Sequence, residues 1–143
     1  MALAKAAAGR SSARVGAAEY PLLLVPFKPA LVNDRGSPNQ PALFELLGQP
    51  DGAPWKAWAE LSPETARALA VEAGARIRIV SPRGAVEAVA VLVEKMPADT
   101  VALAFVPAVP GSGRWARRIA PDLRLLGGDG ALGRDLMVRV TRA

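Results

Sequence analysis

The sequence predicts a mainly β domain with short helices, in which about six strands close into a small barrel. Short segments rich in β-branched residues recur at even spacing, separated by turns that contain Gly, Pro or Ser. The residues are 51% hydrophobic but only 5% aromatic, so the core must be built from aliphatic side chains. At 143 residues the chain has the length of one ordinary domain, enough to bury roughly two-thirds of its unfolded surface.

The clearest local signals lie in residues 58–74, which begin with a short predicted strand at Trp58. Ser62 is a good N-cap, and Pro63 suits the first helical position because that N–H has no partner within a helix. Gly74 is typical of the left-handed residue that ends a helix. The apolar residues at helical spacing between them are Ala66, Leu69, Ala70 and Ala73. The pattern predicts a helix over residues 63–73.

A two-stranded hairpin is predicted next. Residues 76–79 alternate at the strand period, residues 81–84 (SPRG) reverse the chain, and residues 86–93 return. Three more strands are predicted over residues 21–27, 100–106 and 135–141. The first of these is a continuous apolar run, typical of a strand buried on both faces, and Pro26 weakens its end because it cannot donate a hydrogen bond.

The remaining segments read as a short helix over residues 41–48, loops over 28–41 and 107–118, and irregular chain over 123–130. Residues 1–19 are interpreted as a flexible lead-in or linker, and residues 20–143 as the folded domain. The lead-in is rich in Ala, with no acidic residue before Glu19. Since no apolar run approaches the roughly 20 residues of a membrane helix, no membrane span is predicted.

The chain contains no Cys and no His. This excludes a thiolate nucleophile, a disulfide framework, a Cys/His zinc site and an iron–sulfur cluster of its own. It also excludes Ser–His and Cys–His nucleophile pairs. In any redox enzyme that includes this chain, other polypeptide must therefore supply the metal ligands and electron carriers, and no metal site is predicted here.

The net charge of +5 is placed unevenly, because residues 111–143 contain seven arginines against three aspartates. Two interpretations stay open: a site for an anionic partner, such as a phosphate-bearing cofactor or an acidic subunit, and an ordinary solvated face. Arg114, Arg117 and Arg118 stand out because they flank Trp115 beside a Gly-Ser-Gly loop. Nucleic acid is not an expected partner, since aromatic side chains on which bases could stack are scarce.

Residues 58–86 follow the pattern W-x-E-L-S-P-E-T-A-x-x-L-x-V-x-x-G-x-x-I-x-I-x-S-P-x-G-x-V. This pattern resembles the C-terminal molybdopterin dinucleotide-binding domain of the dimethyl sulfoxide reductase superfamily, and the resemblance extends over roughly residues 20–126. Within that superfamily it is most similar to the polysulfide and tetrathionate reductase branch and to the related large subunit of alternative complex III. The resemblance implies a six-stranded double-psi β-barrel that lies over bis(molybdopterin guanine dinucleotide).

The same resemblance implies a set of cofactor-binding residues on three loops at one end of the barrel. Asn and Gln side chains can read a heterocycle edge, Lys and Arg can neutralise a pyrophosphate, and glycines let backbone N–H groups approach anionic oxygens. The residues are Lys28, Asn39, Gln40, Gly111, Ser112, Gly113 and Arg114. Ordinary turn chemistry and a plain connector are the structural alternatives for these loops, and no catalytic residue is predicted.

Two departures from the family pattern support a second interpretation. Many relatives have Asn before the helix-opening Pro, where this chain has Ser62, and Gly-x-Asn-Pro near the end, where this chain has residues 119–122 (IAPD). The alternative complex III subunit keeps the fold without the molybdenum cofactor. A cofactor-free structural domain of a respiratory membrane complex is therefore the alternative.

The functional expectation is a non-catalytic cofactor-binding domain or subunit of a molybdopterin oxidoreductase, in which other polypeptide holds molybdenum or tungsten. The resemblance implies larger molybdopterin domains and an iron–sulfur electron-transfer subunit as partners. Its compartment is left open between the cytoplasm and the periplasmic face of a membrane complex. A self-cleaving pyruvoyl-dependent decarboxylase, cut at Gly36-Ser37 or Gly111-Ser112, is a third reading.

Overall fold

The structure is a computed structural model that describes residues 19–29, 42, 57–105, 122–127 and 136–143. These residues contain six strands and two short helices. In chain order the elements are β1 (Leu22–Phe27), β2 (Trp58–Leu61), α1 (Pro63–Ala68), β3 (Arg76–Val80), β4 (Ala85–Leu92), β5 (Thr100–Ala104), α2 (Arg124–Gly127) and β6 (Met137–Arg142).

The strands close into a barrel in the order β1-β5-β2-β4-β3-β6. The pairs β1/β5 and β2/β4 are parallel, and the other four pairs are antiparallel. The predicted mainly β fold and its closed six-stranded barrel are therefore confirmed. The double-psi connectivity stays a prediction.

The barrel is strongly sheared. Starting from a residue of β3 and following its paired neighbours from strand to strand around the barrel, one returns to β3 at a position roughly ten residues away from the starting residue. Such a displacement requires strands that are steeply tilted to the barrel axis. Such a tilt keeps a six-stranded barrel wide enough for a packed interior.

The interior is filled by alternate residues of each strand, as the two-residue period of a strand requires. Leu61, Ile77, Ile79, Val101, Leu103 and Val138 are each completely buried. In β1, Leu22 and Leu24 face this core, whereas the intervening Leu23 and Val25 are half-buried. The prediction that this strand is buried equally on both faces is therefore wrong.

Pro26 does not end β1, because its missing N–H faces away from β5, with which β1 pairs through Phe27. The N–H of Leu23 donates to the Asp99 carbonyl on the β5 side, and the N–H of Leu24 donates to the Leu136 carbonyl on the β6 side. By this alternation the backbone nitrogen of Pro26 faces the β6 side, where the pairing between described residues reaches Leu22 and Leu23.

Helix α1 begins as predicted but ends earlier. The Ser62 hydroxyl accepts the Thr65 N–H at 3.0 Å, and Pro63 occupies the first turn. The helix stops at Ala68, and Ala70 adopts a left-handed conformation with φ 53°. Gly74 also has a positive φ of 79°, but in the following turn, where its N–H donates to the Ala90 carbonyl.

Two more boundaries differ from the sequence prediction. The segment predicted as irregular contains α2, a single helical turn over residues 124–127. Strand β5 ends at Ala104, before the predicted end at Val106. The predicted lead-in up to residue 18, most of the loop over 28–41 and the whole of the loop over 107–118 lie outside the described residues. Of the predicted helix over 41–48 only Ala42 is described, and it is helical.

Candidate functional site

The strand directions bring the two long connections to one end of the barrel. Strands β1, β3 and β5 run in one direction, and β2, β4 and β6 run in the other. The β1–β2 connection (residues 28–57), the β5–β6 connection (residues 105–136) and the β3–β4 turn (residues 81–84) therefore lie at the same end. We call this the upper end; the opposite end carries α1 and the β4–β5 turn.

The two long connections depart from adjacent points. The Phe105 N–H donates to the Phe27 carbonyl oxygen at 2.9 Å, which joins the first residue after β5 to the last residue of β1. The ring of Phe27 meets the ring of Trp58 edge-on, with centroids 6.2 Å apart and planes at 75°. Because Trp58 begins β2, this aromatic pair also holds the point where the β1–β2 connection returns.

Lys28 is the predicted site residue that the structure describes, and it lies exposed at the upper end, directly after Phe27. Asn39 and Gln40 belong to the β1–β2 connection, and residues 111–114 belong to the β5–β6 connection. These six residues lie outside the described residues. The structure therefore places the departure points of the two connections side by side, and the assignment of these six residues to a site stays a prediction.

Helix α2 packs against the β3–β4 turn at this same end. The Ser81 hydroxyl donates to the Leu126 carbonyl oxygen at 2.7 Å. It also accepts the N–H groups of Arg83 and Gly84, at 3.1 and 3.3 Å. Leu126 is completely buried and belongs to the barrel core. Sequence reasoning missed this contact; the only available signal was the paired leucines in a segment without a helical period.

The charges on the described connections differ between the two ends. The upper end carries Lys28, Arg83, Arg124 and Asp122. The connections at the opposite end carry Arg67 and Lys95 against four carboxylates, those of Glu64, Glu72, Glu94 and Asp99. The described connections therefore favour an anionic ligand at the upper end over the opposite end.

The acidic residue at the upper end is neutralised locally. Asp122 accepts hydrogen bonds from the Arg124 side chain at 2.9 and 3.0 Å and from the Arg124 backbone N–H at 3.1 Å. The side-chain hydrogen bond from Arg124 lowers the pKa of Asp122. Asp122 thus stays ionised as half of an ion pair, so it adds little net negative charge beside Lys28.

Glu60 is a second feature that the sequence did not reveal. It lies on β2, on the outward face with Trp58, because Ala59 and Leu61 on either side of it are completely buried. Burial raises the pKa of Glu60, and a hydrogen bond from the Trp58 side chain partly offsets this. This carboxyl lies on the wall of the barrel, on a strand that is paired on both sides.

Within the described ranges, no three His, Cys, Asp or Glu side chains are grouped as a metal site would require. The described helices are also too short to cross a membrane. The described side chains at the upper end that suit an anionic group are the cationic Lys28 and Arg83.

A sequence profile described as "Molydopterin dinucleotide binding domain" matches residues 45–117, just over half of the chain. The chain belongs to the molybdopterin dinucleotide-binding domain family. The predicted resemblance to a molybdopterin dinucleotide-binding domain is thereby confirmed. The matched span runs from before β2 through β5 and into the β5–β6 connection, so it includes the predicted residues 111–114.

Among solved structures, this molybdopterin dinucleotide-binding domain is similar to acetylene hydratase from Pelobacter acetylenicus, with a TM-score of 0.64 and 17% sequence identity. The match covers 89% of this chain and 19% of the enzyme chain, so this chain spans about a fifth of that protein. At this identity the likeness establishes a shared fold. No curated protein matches the chain significantly by sequence.

The described residues fit a molybdopterin dinucleotide as the ligand class. Such a group carries phosphates, and the upper end combines positive charge with the two connections in which the family resemblance places the binding loops. The fit rests on this shared end of the barrel and on the charge difference between the two ends.

Proposed function

We propose that this domain closes over the molybdopterin dinucleotide of a larger oxidoreductase, with the upper end of the barrel against the cofactor, and that the domain itself is not catalytic. The observation that supports it most is the common origin of the β1–β2 and β5–β6 connections, joined by the Phe105–Phe27 hydrogen bond. The bound group supplies the molybdenum or tungsten centre at which substrate reacts.

The proposed roles follow from the chemistry of each side chain. Lys28 and Arg114 neutralise the pyrophosphate, and Arg114 can do so with two parallel hydrogen bonds. Gly111, Ser112 and Gly113 present backbone N–H groups, and the Ser112 hydroxyl, to anionic oxygens. Asn39 and Gln40 offer both donors and acceptors to the edge of a heterocycle.

The finer features of the proposal concern the assembled enzyme. The cofactor is the guanine dinucleotide form, the partners are the remaining molybdopterin domains and an iron–sulfur electron-transfer subunit, and the assembly is of the polysulfide or tetrathionate reductase type. Residues 20–143 form the domain, and residues 1–19 are a lead-in or linker. These features are supported by the motif in residues 58–86.

The test is cofactor retention by the enzyme purified with its partner polypeptides. We expect Arg114→Ala to weaken binding about tenfold to a hundredfold, because charge-assisted hydrogen bonds contribute about 1.5–3 kcal/mol. Asn39→Ala is expected to weaken it by a smaller factor. Molybdenum or tungsten is measured by mass spectrometry, and guanine nucleotide after acid release.

Arg67→Ala is the matched control, since Arg67 is an exposed arginine on α1 at the opposite end of the barrel. It should leave the metal and guanine content unchanged. Equal content in the Arg114→Ala and Arg67→Ala proteins would contradict the proposed site.

A second function is favoured by the segment that replaces the family's Gly-x-Asn-Pro. In that pattern the position of the relatives' Asn corresponds to Pro121, which carries no side-chain amide. The next residue, Asp122, is a carboxylate engaged by Arg124. A domain that has lost this amide can serve as a cofactor-free structural part of a respiratory membrane complex. Absence of both molybdenum and tungsten from the assembled complex would favour this second function.

A further inference from the structure

The β3–β4 turn holds Arg83 on a rigid backbone at the upper end. Ser81 is only 3% exposed, and its hydroxyl donates to the Leu126 carbonyl oxygen of α2 at 2.7 Å. The same hydroxyl accepts the N–H groups of Arg83 and Gly84 at 3.1 and 3.3 Å, and the Ser81 N–H donates to the Gly84 carbonyl oxygen at 2.8 Å. The main chain of Arg83 is therefore fixed within the turn, and the turn is fixed to α2.

Gly84 brings the turn and α2 into direct backbone contact. A Cβ atom at position 84 would lie 2.5 Å from the Leu125 carbonyl oxygen, so a residue without a Cβ atom is needed for this approach. Leu126, the next residue of α2, is completely buried in the barrel core. Since the turn is held by this contact and by the hydrogen bonds of Ser81, its backbone loses little freedom when a ligand binds there.

The Arg83 side chain is exposed and keeps an unshared positive charge. In the part of the chain that the structure describes, no hydrogen bond or ion pair engages its guanidinium. The carboxylate at the same end, that of Asp122, is taken by Arg124 through hydrogen bonds of 2.9 and 3.0 Å. Arg83 therefore contributes to the upper end a cation that no described carboxylate neutralises.

The barrel itself gives no reason for an arginine at position 83. Arg76 is paired with Glu87 at 3.0 Å, and the guanidinium of Arg139 lies over the Tyr20 ring, 5.8 Å from its centroid. Arg83 has neither kind of contact within the described residues, and its φ is not positive, so many residue types would suit this turn. A fixed, exposed and unpaired guanidinium is suited to binding an anion from outside the barrel.

We infer that Arg83 is a further binding residue for the molybdopterin dinucleotide, and that its guanidinium binds a phosphate oxygen. The inference rests on the proposed function of the upper end, and it adds a residue that the sequence motifs do not assign. A guanidinium can donate two parallel hydrogen bonds to one phosphate. The N–H groups of Arg83 and Gly84 are already occupied by the Ser81 hydroxyl, so recognition by these two residues depends on the Arg83 side chain.

The experiment compares Arg83→Ala and Arg83→Lys with Arg78→Ala, in the enzyme assembled with its partner polypeptides. Arg78 is a matched control on β3: it is also exposed, and no hydrogen bond or ion pair among the described residues engages it. It lies on the outer wall of the barrel, because Ile77 and Ile79 on either side of it are completely buried. Molybdenum or tungsten and guanine nucleotide are measured after purification and during dialysis at low and high salt.

We expect Arg83→Ala to release the cofactor about tenfold faster, because it removes charge-assisted hydrogen bonds whose loss acts mainly on dissociation. Salt should accelerate release less in this variant than in the unaltered enzyme, since one ionic contact is missing. Arg83→Lys should lie between the two, because an ammonium keeps the charge without the two-donor geometry. The melting temperature of the full chain without its partners should be unchanged, since the Arg83 side chain is exposed and unpaired within the described residues.

Arg78→Ala should leave cofactor release and its salt dependence unchanged. Unaltered release in Arg83→Ala would overturn the inference. Equal acceleration in Arg83→Ala and Arg78→Ala would also overturn it, because that result would reflect the net charge of the domain rather than a contact of Arg83.

The two proposals can fail separately. If Arg114→Ala accelerates cofactor release and Arg83→Ala does not, only this inference is wrong. If Arg83→Ala accelerates release and Arg114→Ala does not, the inference stands and the proposed role of Arg114 is wrong. An assembled complex that contains neither metal nor guanine nucleotide would overturn both.

Discussion

At the scale of the single residue, Ala70 is under the clearest strain in the described chain. Its N–H donates to the Arg67 carbonyl at 3.2 Å, and the next N–H, of Val71, donates to the Ala66 carbonyl at 2.9 Å. This is the Schellman arrangement, in which the residue after the C-cap takes a left-handed conformation that usually requires Gly. Ala70 adopts it at φ 53° in spite of its Cβ atom.

Ala70→Gly should therefore stabilise the domain. Removing the Cβ atom relieves about 1–2 kcal/mol of left-handed strain, and the greater freedom of Gly in the unfolded chain returns part of this, for a net gain of about 0.5–1 kcal/mol. Urea unfolding of the full chain measures the change. Ala73→Gly is the control: Ala73 is also exposed but has no positive φ, so it should lose a few tenths of a kcal/mol. A loss of stability in Ala70→Gly comparable with that control would contradict the strain argument.

At the scale of the element, one side chain of α2 anchors the helix in the barrel core. Leu126 is completely buried in the barrel core, whereas its neighbour Leu125 is 52% exposed. Leu126→Ala should lower the free energy of unfolding by about 2–5 kcal/mol, because it removes buried methyl groups and leaves a cavity. Leu125→Ala should change it by less than about 0.5 kcal/mol. The adjacent pair is compared by urea unfolding, and equal effects would mean that α2 does not depend on the core contact.

The elements that the sequence predicted well are those with their own local signals. The alternation of β3 and the Ser62-Pro63 cap of α1 need no tertiary information, and both are observed as predicted. The end of α1 was misplaced because the apolar spacing to Ala73 consists mostly of alanines, which gain little from burial, while the chain must turn at Ala70 to reach β3. Helix α2 was missed because it is held by contacts with Ser81 and Gly84, distant in sequence.

The same limit applies to the candidate site. The residue types of the loops and the likeness of the chain to a known domain could be read directly from the sequence. The family match bears out the likeness of the chain, whereas the roles of the loop residues stay a prediction. Both long connections depart from one end of the barrel because of the strand order. That order depends on pairings between segments far apart in the chain, such as β1 with β5. The charge difference between the two ends depends on the same pairings and could not be predicted without them.

At the scale of the whole molecule, the barrel is closed by its first and last strands. Strand β6 pairs with both β1 and β3, and it contributes Val138 and Val140 to the core. Without β6, the barrel opens and two strand edges lose their hydrogen-bond partners. Closure thus requires segments from opposite ends of the domain to meet, a topology typical of slow folding.

Two truncations test this closure together with the proposed division of the chain. Deleting residues 136–143 should abolish cooperative unfolding, because the loss of β6 removes core side chains and pairing on both sides. Deleting residues 1–18, which make up all but the last residue of the interpreted lead-in over residues 1–19, should change the free energy of unfolding by less than about 0.5 kcal/mol. Circular dichroism during thermal and urea unfolding distinguishes the two proteins. A cooperative transition in the chain without β6 would contradict the role of that strand in closure, whereas a large loss on deleting residues 1–18 would place those residues within the domain.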